Sequence, residues 1–215
     1  MDNVLITGFE SFADNTENPS ESLALALDGE HLREGTLVQG LVLPVDFEHC
    51  FEELARELEG IIAQHGEAPK AIVCLGLSQK AKIFQLEKVA INFQYAKISD
   101  NAGHSPRGNK IRPTGPDAYF SNVPVEKWVE QLNAEPIEKN EDPCYGLSLS
   151  AGSFVCNTLY YHLLDYLQQS SERFSQTQAL FCHVPSIQGD FQAFPQTSEG
   201  QKTLVRNLLN KLITS

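Results

Sequence analysis

Two residues in this sequence have the type and the setting for nucleophilic chemistry. Cys156 follows the small-residue run Ser150-Ala151-Gly152-Ser153 and lies just inside an amphipathic stretch from Phe154 to Leu167. Leu159, Leu163, Leu164 and Leu167 recur there at the three-and-four spacing of a helix packed on a core. A thiol at a helix N-terminus meets the positive end of the dipole and unsatisfied backbone N–H groups, and both favour the thiolate. The same N–H groups, approached closely over Ala151 and Gly152, suit an oxyanion. His183 closes the apolar run Leu180-Phe181-Cys182 just before Val184 and Pro185, a strand pattern, and open α/β sheets build their sites at the carboxyl ends of strands. A thiolate paired with an imidazole can attack a carbonyl. The pattern alone leaves a plainer reading open, because buried cysteines commonly act as small hydrophobes and a histidine beside an apolar strand is commonly a hydrogen-bonded core residue.

The elements that must carry these residues alternate in an α/β rhythm. Val4-Leu5-Ile6-Thr7 is strand-like and stops at Gly8, a helical stretch contains Ser20 to Leu27, and Val38 to Pro44 returns to strand. From Asp46, apolar positions Phe47, Phe51, Leu54, Leu58, Ile61 and Ile62 predict a long helix ending near His65-Gly66. Ala71 to Gly76 is a continuous apolar run of the kind buried on both faces of a covered sheet. Residues 94 to 116 dissolve into Asp, Asn, Gly, Pro and charge, and a loop of that length in a small domain is either functional or mobile. A short helix over Val125 to Leu132, a polar insert from Asn133 to Pro143 and a last helix from Thr203 to Ile213 complete the pattern. With no repeat, linker or low-complexity segment, the 215 residues read as one domain.

Composition narrows the partners. The formal net charge of -12, with no stripe of Lys or Arg, argues against nucleic acid and anionic membrane, whose binding depends on neutralising phosphates. Apolar stretches are interrupted long before the roughly twenty residues of a membrane span, and Met1 to Ile6 lacks the basic and apolar regions of a signal peptide. The expectation is a cytoplasmic protein. Cys50, Cys74, Cys144, Cys156 and Cys182 are odd in number and form no CxxC pair, so neither a disulfide framework nor a zinc site is indicated and at least one thiol is free.

Six segments, in order along nearly the whole chain, resemble one family. Ser150-Ala151-Gly152-Ser153-Phe154-Val155-Cys156-Asn157 resembles the nucleophile segment, and His183-Val184-Pro185 the histidine segment, of the pyroglutamyl peptidase type I (pyrrolidone-carboxylate peptidase) family of cysteine peptidases. Glu87-Lys88-Val89-Ala90-Ile91-Asn92 resembles its acidic segment, Asp100-Asn101-Ala102-Gly103 its long loop, and Ala118 to Ser121 with Pro124 the run that follows. Gly8-Phe9-Glu10-Ser11-Phe12 with Asn18-Pro19-Ser20 resembles its opening strand, loop and helix.

The resemblance implies an α/β fold, a three-layer α/β/α sandwich on a twisted mixed central sheet of the phosphorylase/hydrolase kind, with no metal or organic cofactor. It implies hydrolysis of the amide bond after an N-terminal pyroglutamyl residue through a thioester, with Cys156 as nucleophile, His183 as base and then acid, and Glu87 orienting the imidazole. It places Phe9 and Phe12 against the lactam ring, although either could equally be core, and it implies self-association as a dimer or tetramer. Apolar residues around Tyr119, Phe120 and Trp128, read as exposed, point the same way.

The sequence also departs from the family. Gly76-Leu77-Ser78-Gln79-Lys80-Ala81-Lys82 replaces a glycine-rich run ending in Arg, and Lys97 stands where an Arg near the site is typical, keeping the charge without the planar fork. Ser11 and Ala13 replace Pro and Gly, and Lys88 replaces Arg after Glu87. Three alternatives follow: a cysteine-dependent amidase for another small N-acyl or lactam group, a nucleoside phosphorylase of similar architecture, and a catalytically inactive binding relative. The phosphorylase needs an anion site, and no glycine-rich loop or Arg cluster supplies one.

Overall fold

The structure, a computed structural model, describes residues 2–13, 17–135, 142–186 and 198–214. Most of the polar insert expected from Asn133 to Pro143, residues 136–141, lies outside them. The chain forms β1 (Asn3–Phe9), α1 (Pro19–Leu27), β2 (Leu37–Leu43), α2 (Cys50–His65), β3 (Ala71–Ser78), β4 (Phe84–Glu87), β5 (Val89–Ile91), β6 (Gln94–Tyr95), β7 (Arg107–Asn109), β8 (Ala118–Phe120), α3 (Val125–Ala134), β9 (Tyr145–Ser148), α4 (Val155–Gln169), β10 (Gln178–Pro185) and α5 (Ser198–Ile213). The main sheet has the order β2-β1-β3-β10-β4-β9. It is mixed: β1, β2, β3 and β10 run parallel, β10 pairs antiparallel with β4, and β4 pairs parallel with β9. Two small ribbons, β5 with β8 and β6 with β7, stand beside it.

Because successive strand residues face opposite ways, the central strands feed two cores. Val4, Ile6, Val73, Leu75, Leu180 and Cys182 pack under α1, α3 and α5. Leu5, Ile72, Cys74, Ala179 and Phe181 pack under α2 and α4. The result is the expected α/β/α sandwich. Burial of Leu159, Tyr160, Tyr161, Leu163 and Leu164 seats α4 on the sheet, each side chain contributing on the order of 1.5–3 kcal/mol relative to exposure. The helix that carries Cys156 in its first turn is thereby held on a rigid support.

Local details follow from the caps. Asn18 accepts the Ser20 N–H at 3.1 Å with Pro19 at the first helical position, a standard helix start. Ser20 Oγ in turn accepts the Phe9 N–H at 3.0 Å, tying the end of β1 to α1. The α2 helix begins at Cys50 rather than Asp46 because Asp46 Oδ1 first accepts the N–H groups of Glu48 and His49 at 2.7 and 3.2 Å. Two of the three apolar residues read as exposed are not: Trp128 is 2% exposed within the core and Tyr119 is buried with its hydroxyl donating to Asp165 at 2.5 Å. Only Phe120, at 64%, faces outward. The Trp128 side lies on the inner stripe of α3, which a helix of ten residues does not advertise unambiguously.

Candidate active site

The carboxyl ends of the parallel strands converge on one place. Register sets Gly76 of β3 opposite His183 of β10, and His183 opposite Gln85 of β4. Glu87, two residues along β4, is the diagonal cross-strand neighbour of His183, a separation that long side chains bridge. His183 Nδ1 donates to Glu87 Oε1 at 2.7 Å. Glu87 is 2% exposed and its other oxygen, Oε2, is buried without a partner among the described residues. A buried carboxylate in that state is costly unless it is balanced by a cation, and an imidazolium at position 183 supplies one. Burial by itself would lower the pKa of His183, but hydrogen bonds to Cys156 and Glu87 outweigh it and raise the value to about 10.

Cys156 is the second residue of α4. No side chain caps the start of this helix, so its first backbone N–H groups remain available beside the thiol. Cys156 is partly exposed, while the other four cysteines are buried. Burial pushes the thiols of Cys50, Cys74 and Cys182 up, that of Cys74 to about 12, which makes them poor nucleophiles. The helix is keyed in place by Asn157, whose amide exchanges hydrogen bonds with the backbone of Ile91 at 2.9 and 2.8 Å, and by Tyr160, whose hydroxyl donates to the Glu87 carbonyl at 3.1 Å. One helix therefore carries the thiol and also fixes the strand that carries the carboxylate.

Two cavities meet at this point. The smaller, about 250 Å³, is apolar and includes Phe9, Phe12, Val45, Ile98, Phe154 and Cys156 in its walls. The larger, about 760 Å³, contains Glu87 and His183 in its lining. Phe12 meets Phe154 with the rings tilted by 44° and centroids 5.1 Å apart, and Phe154 meets Phe47 edge-on at 5.1 Å, the edge-to-face arrangement that aromatic pairs favour. Phe9 and Phe12 thus stand with Cys156 in one wall. Lys97 does not: it is exposed and lines neither cavity, while its neighbour Ile98 points into the smaller one. Both lie in a bend beyond the end of β6.

The segment from 94 to 116 is built rather than loose. It contains the β6-β7 ribbon, and Asn92 exchanges hydrogen bonds with the Arg112 backbone at 2.8 and 2.8 Å. Asn101 Nδ2 donates to Glu10 Oε1 at 2.7 Å, and Glu10 Oε1 also accepts the Val45 N–H at 3.1 Å. These bonds join three segments that wall the apolar cavity. Asp46, Asp100 and His104 bring ligand-type atoms within 4.8 Å of one another. Both carboxylates there already accept backbone N–H groups, from Glu48 and His49 on Asp46 and from Phe47 and His104 on Asp100, so this cluster serves as a loop anchor.

Sequence reasoning did not single out Phe154, Val155, Val45 or Ile98 as cavity residues. An aromatic residue immediately before a nucleophile helix was the available signal for Phe154. The others come from separate loops and meet only in space.

A thiol at an uncapped helix start, an imidazole and a buried carboxylate at the carboxyl edge of an α/β/α sheet define the class, cysteine peptidases built on an α/β/α sandwich. The chain belongs to the pyroglutamyl peptidase family, whose model matches residues 2–206. Its sequence is 37% identical over 185 residues to a pyrrolidone-carboxylate peptidase of Saccharolobus islandicus, covering 85% of this chain and 78% of that protein. It is 35% identical to the pyrrolidone-carboxylate peptidase of Halalkalibacterium halodurans, covering 85% of this chain and 83% of that one. The solved structure of Bacillus amyloliquefaciens pyroglutamyl peptidase I superposes with a TM-score of 0.81 at 26% identity, over 100% of this chain and 98% of that chain. The pyrrolidone carboxyl peptidase of Thermococcus litoralis gives 0.84 at 27%, over 100% and 94%. Membership of this family sets aside the nucleoside phosphorylase alternative.

Proposed function

We propose that this protein removes an N-terminal pyroglutamyl residue from peptides, with Cys156 as nucleophile, His183 as proton carrier and Glu87 as the group that holds the imidazole. The observation that supports it most is the position of Cys156, which stands in the wall of a small aromatic cavity beside the His183–Glu87 pair. A neutral five-membered lactam needs apolar faces and a few backbone contacts, and Phe9, Phe12 and Phe154 supply the faces. Ile98 contributes to that wall, next to the exposed Lys97.

The chemistry balances on these residues. The Cys156 thiolate adds to the pyroglutamyl carbonyl, and the first N–H groups of α4 receive the oxyanion. His183 gives its Nε2 proton to the departing amine as the C–N bond breaks, leaving a thioester on Cys156. Neutral His183 then takes a proton from water, which attacks the thioester. Pyroglutamate leaves, and the thiolate–imidazolium pair is restored. Glu87 stays ionised throughout and holds Nδ1 so that Nε2 faces the reaction.

Several coarser traits belong to the same reading. One peptidase domain, residues 1–215, is supported by a family match that runs from 2 to 206. A cytoplasmic setting is supported by five cysteines that are all free thiols. A homo-oligomer, dimer or tetramer, is supported by exposed Phe93, Tyr95, Ile98, Phe120 and Leu149. Among the described residues no helix is long and apolar enough to cross a membrane.

The test is release of a fluorescent amine from its pyroglutamyl amide, with the prolyl amide as control. Turnover selective for pyroglutamyl and absent in Cys156→Ala is the expected result. Equal turnover of the prolyl amide would redirect the reading to a broader cysteine amidase.

A further inference from the structure

His183 has a further neighbour besides Cys156 and Glu87. Because alternate residues of a strand share a face, Phe181 and His183 lie on one side of β10, and their ring centroids are 5.0 Å apart with the planes tilted by 58°. Phe181 is the register partner of Glu87 on β4 and of Cys74 on β3. It is fully buried, packed on the Tyr160 ring at 5.7 Å, and so near Gly76 that a Cβ there would lie 2.8 Å from its Cζ. The ring therefore lies among α4, β3 and β4, the elements that carry Cys156, Gly76 and Glu87.

A core phenyl ring needs no explanation beyond the area it buries, but this one packs against a group that works as a cation. The His183 side chain is only 12% exposed, so its imidazolium is largely stripped of water. A desolvated cation within about 6 Å of an aromatic centroid is attracted by the negative face of the ring. We infer that Phe181 is a positioning residue of the catalytic pair: its ring favours imidazolium over neutral imidazole at His183 and so keeps a proton ready for the leaving amine. The inference rests on the reading of His183 as proton carrier. A ring suits this role because it accepts no conventional hydrogen bond. A second carboxylate there would compete with Cys156 for the Nε2 proton, whereas the ring leaves Nε2 free to donate. The ionisable groups facing the imidazole are Cys156 from α4 and Glu87 from β4. Lys80 and Lys82, from the turn after β3, line the same cavity as His183, and their like charge opposes the proton. Cys74 of β3 is a buried thiol raised to about 12 and adds no charge.

The experiment replaces Phe181 site-specifically with 3-fluoro- and 3,5-difluorophenylalanine. These weaken the negative face of the ring in two steps at nearly constant shape and leave the Cζ beside Gly76 unchanged; Phe181→Leu removes the ring altogether. Two quantities are read: the His183 titration midpoint, by NMR of ring-labelled histidine, and the alkaline limb of kcat/KM with a pyroglutamyl amide. Both should fall together in the order wild type, monofluoro, difluoro, Phe181→Leu, the last by about 0.5 to 1.5 pH units, the span expected of a partly to fully desolvated cation–π contact. The midpoint is read from the folded protein's own signal, so partial loss of folded protein does not move it. Fluorinated proteins that titrate at the wild-type midpoint would reduce Phe181 to a packing residue and overturn the inference. A fall confined to Phe181→Leu assigns the effect to lost packing and overturns it as well. If wild type cleaves no pyroglutamyl substrate, the proposed function fails by itself, and the NMR series still decides whether the ring holds the proton.

Discussion

Gly76 and Cys156 touch across the site: a Cβ added to Gly76 would lie 2.9 Å from Cys156 Sγ and 2.8 Å from the Phe181 ring. Since Gly76 is also the register partner of His183, the missing side chain is what lets thiol and imidazole share one end of the sheet. Gly76→Ala is expected to push Sγ off line and to lower kcat/KM on the order of 10²-fold, the usual effect of ångström-scale misplacement. Overpacking against Phe181 should cost about 1–3 kcal/mol of stability as well. Kinetics with a pyroglutamyl amide and a urea titration read the two effects separately. Activity within about twofold of wild type would contradict the close approach.

The His183 pKa gives a prediction with a definite sign. Its value is raised from 6.5 to about 10, so the folded state holds this proton more tightly than the unfolded chain. The stability it contributes is fully present below about pH 6.5 and is lost as pH rises through about 10. Because Cys156 and Glu87 are the raising partners, Cys156→Ala and Glu87→Gln should each lower the His183 titration midpoint seen by NMR. Glu87→Gln should also cost kcat/KM on the order of 10²-fold or more and move its alkaline limb to lower pH. An unchanged His183 midpoint in both variants would show that neither partner holds the proton.

Ala13 carries a cost that the family's glycine would not. It stands in the left-handed region, φ 53°, where a Cβ is penalised by roughly 1–2 kcal/mol, partly offset by the entropy glycine would add to the unfolded chain. Ala13→Gly is therefore expected to stabilise the protein by up to about 1 kcal/mol, measured as a rise in the urea midpoint at constant slope. A loss of stability would show that the turn is held by contacts of the methyl group.

The sequence was most informative where periodicity is long. The α2 and α4 stripes and the apolar runs of β3 and β10 are legible because tens of ångströms of element repeat one pattern, and Cys156 and His183 sit at the ends of two of them. The strand β9 was not, since Tyr145 to Ser148 is a four-residue edge strand after a polar insert. Glu87 shows the limit clearly. Beside Lys88 it looks like a surface charge, and only its diagonal pairing across β4 and β10 buries it against His183. Trp128 and Tyr119 failed in the opposite direction, because a short helix and a three-residue strand do not reveal which face is covered.

The central claim is that Cys156 is the attacking atom, and a pyroglutamyl chloromethyl ketone tests it most directly, since this reagent alkylates the nucleophile that its lactam positions. One equivalent should attach to the peptide containing Cys156, with activity falling in proportion and excess pyroglutamyl amide giving protection. Label on Cys50, Cys74, Cys144 or Cys182 with Cys156 untouched, or full activity after Cys156 is alkylated, would contradict the account.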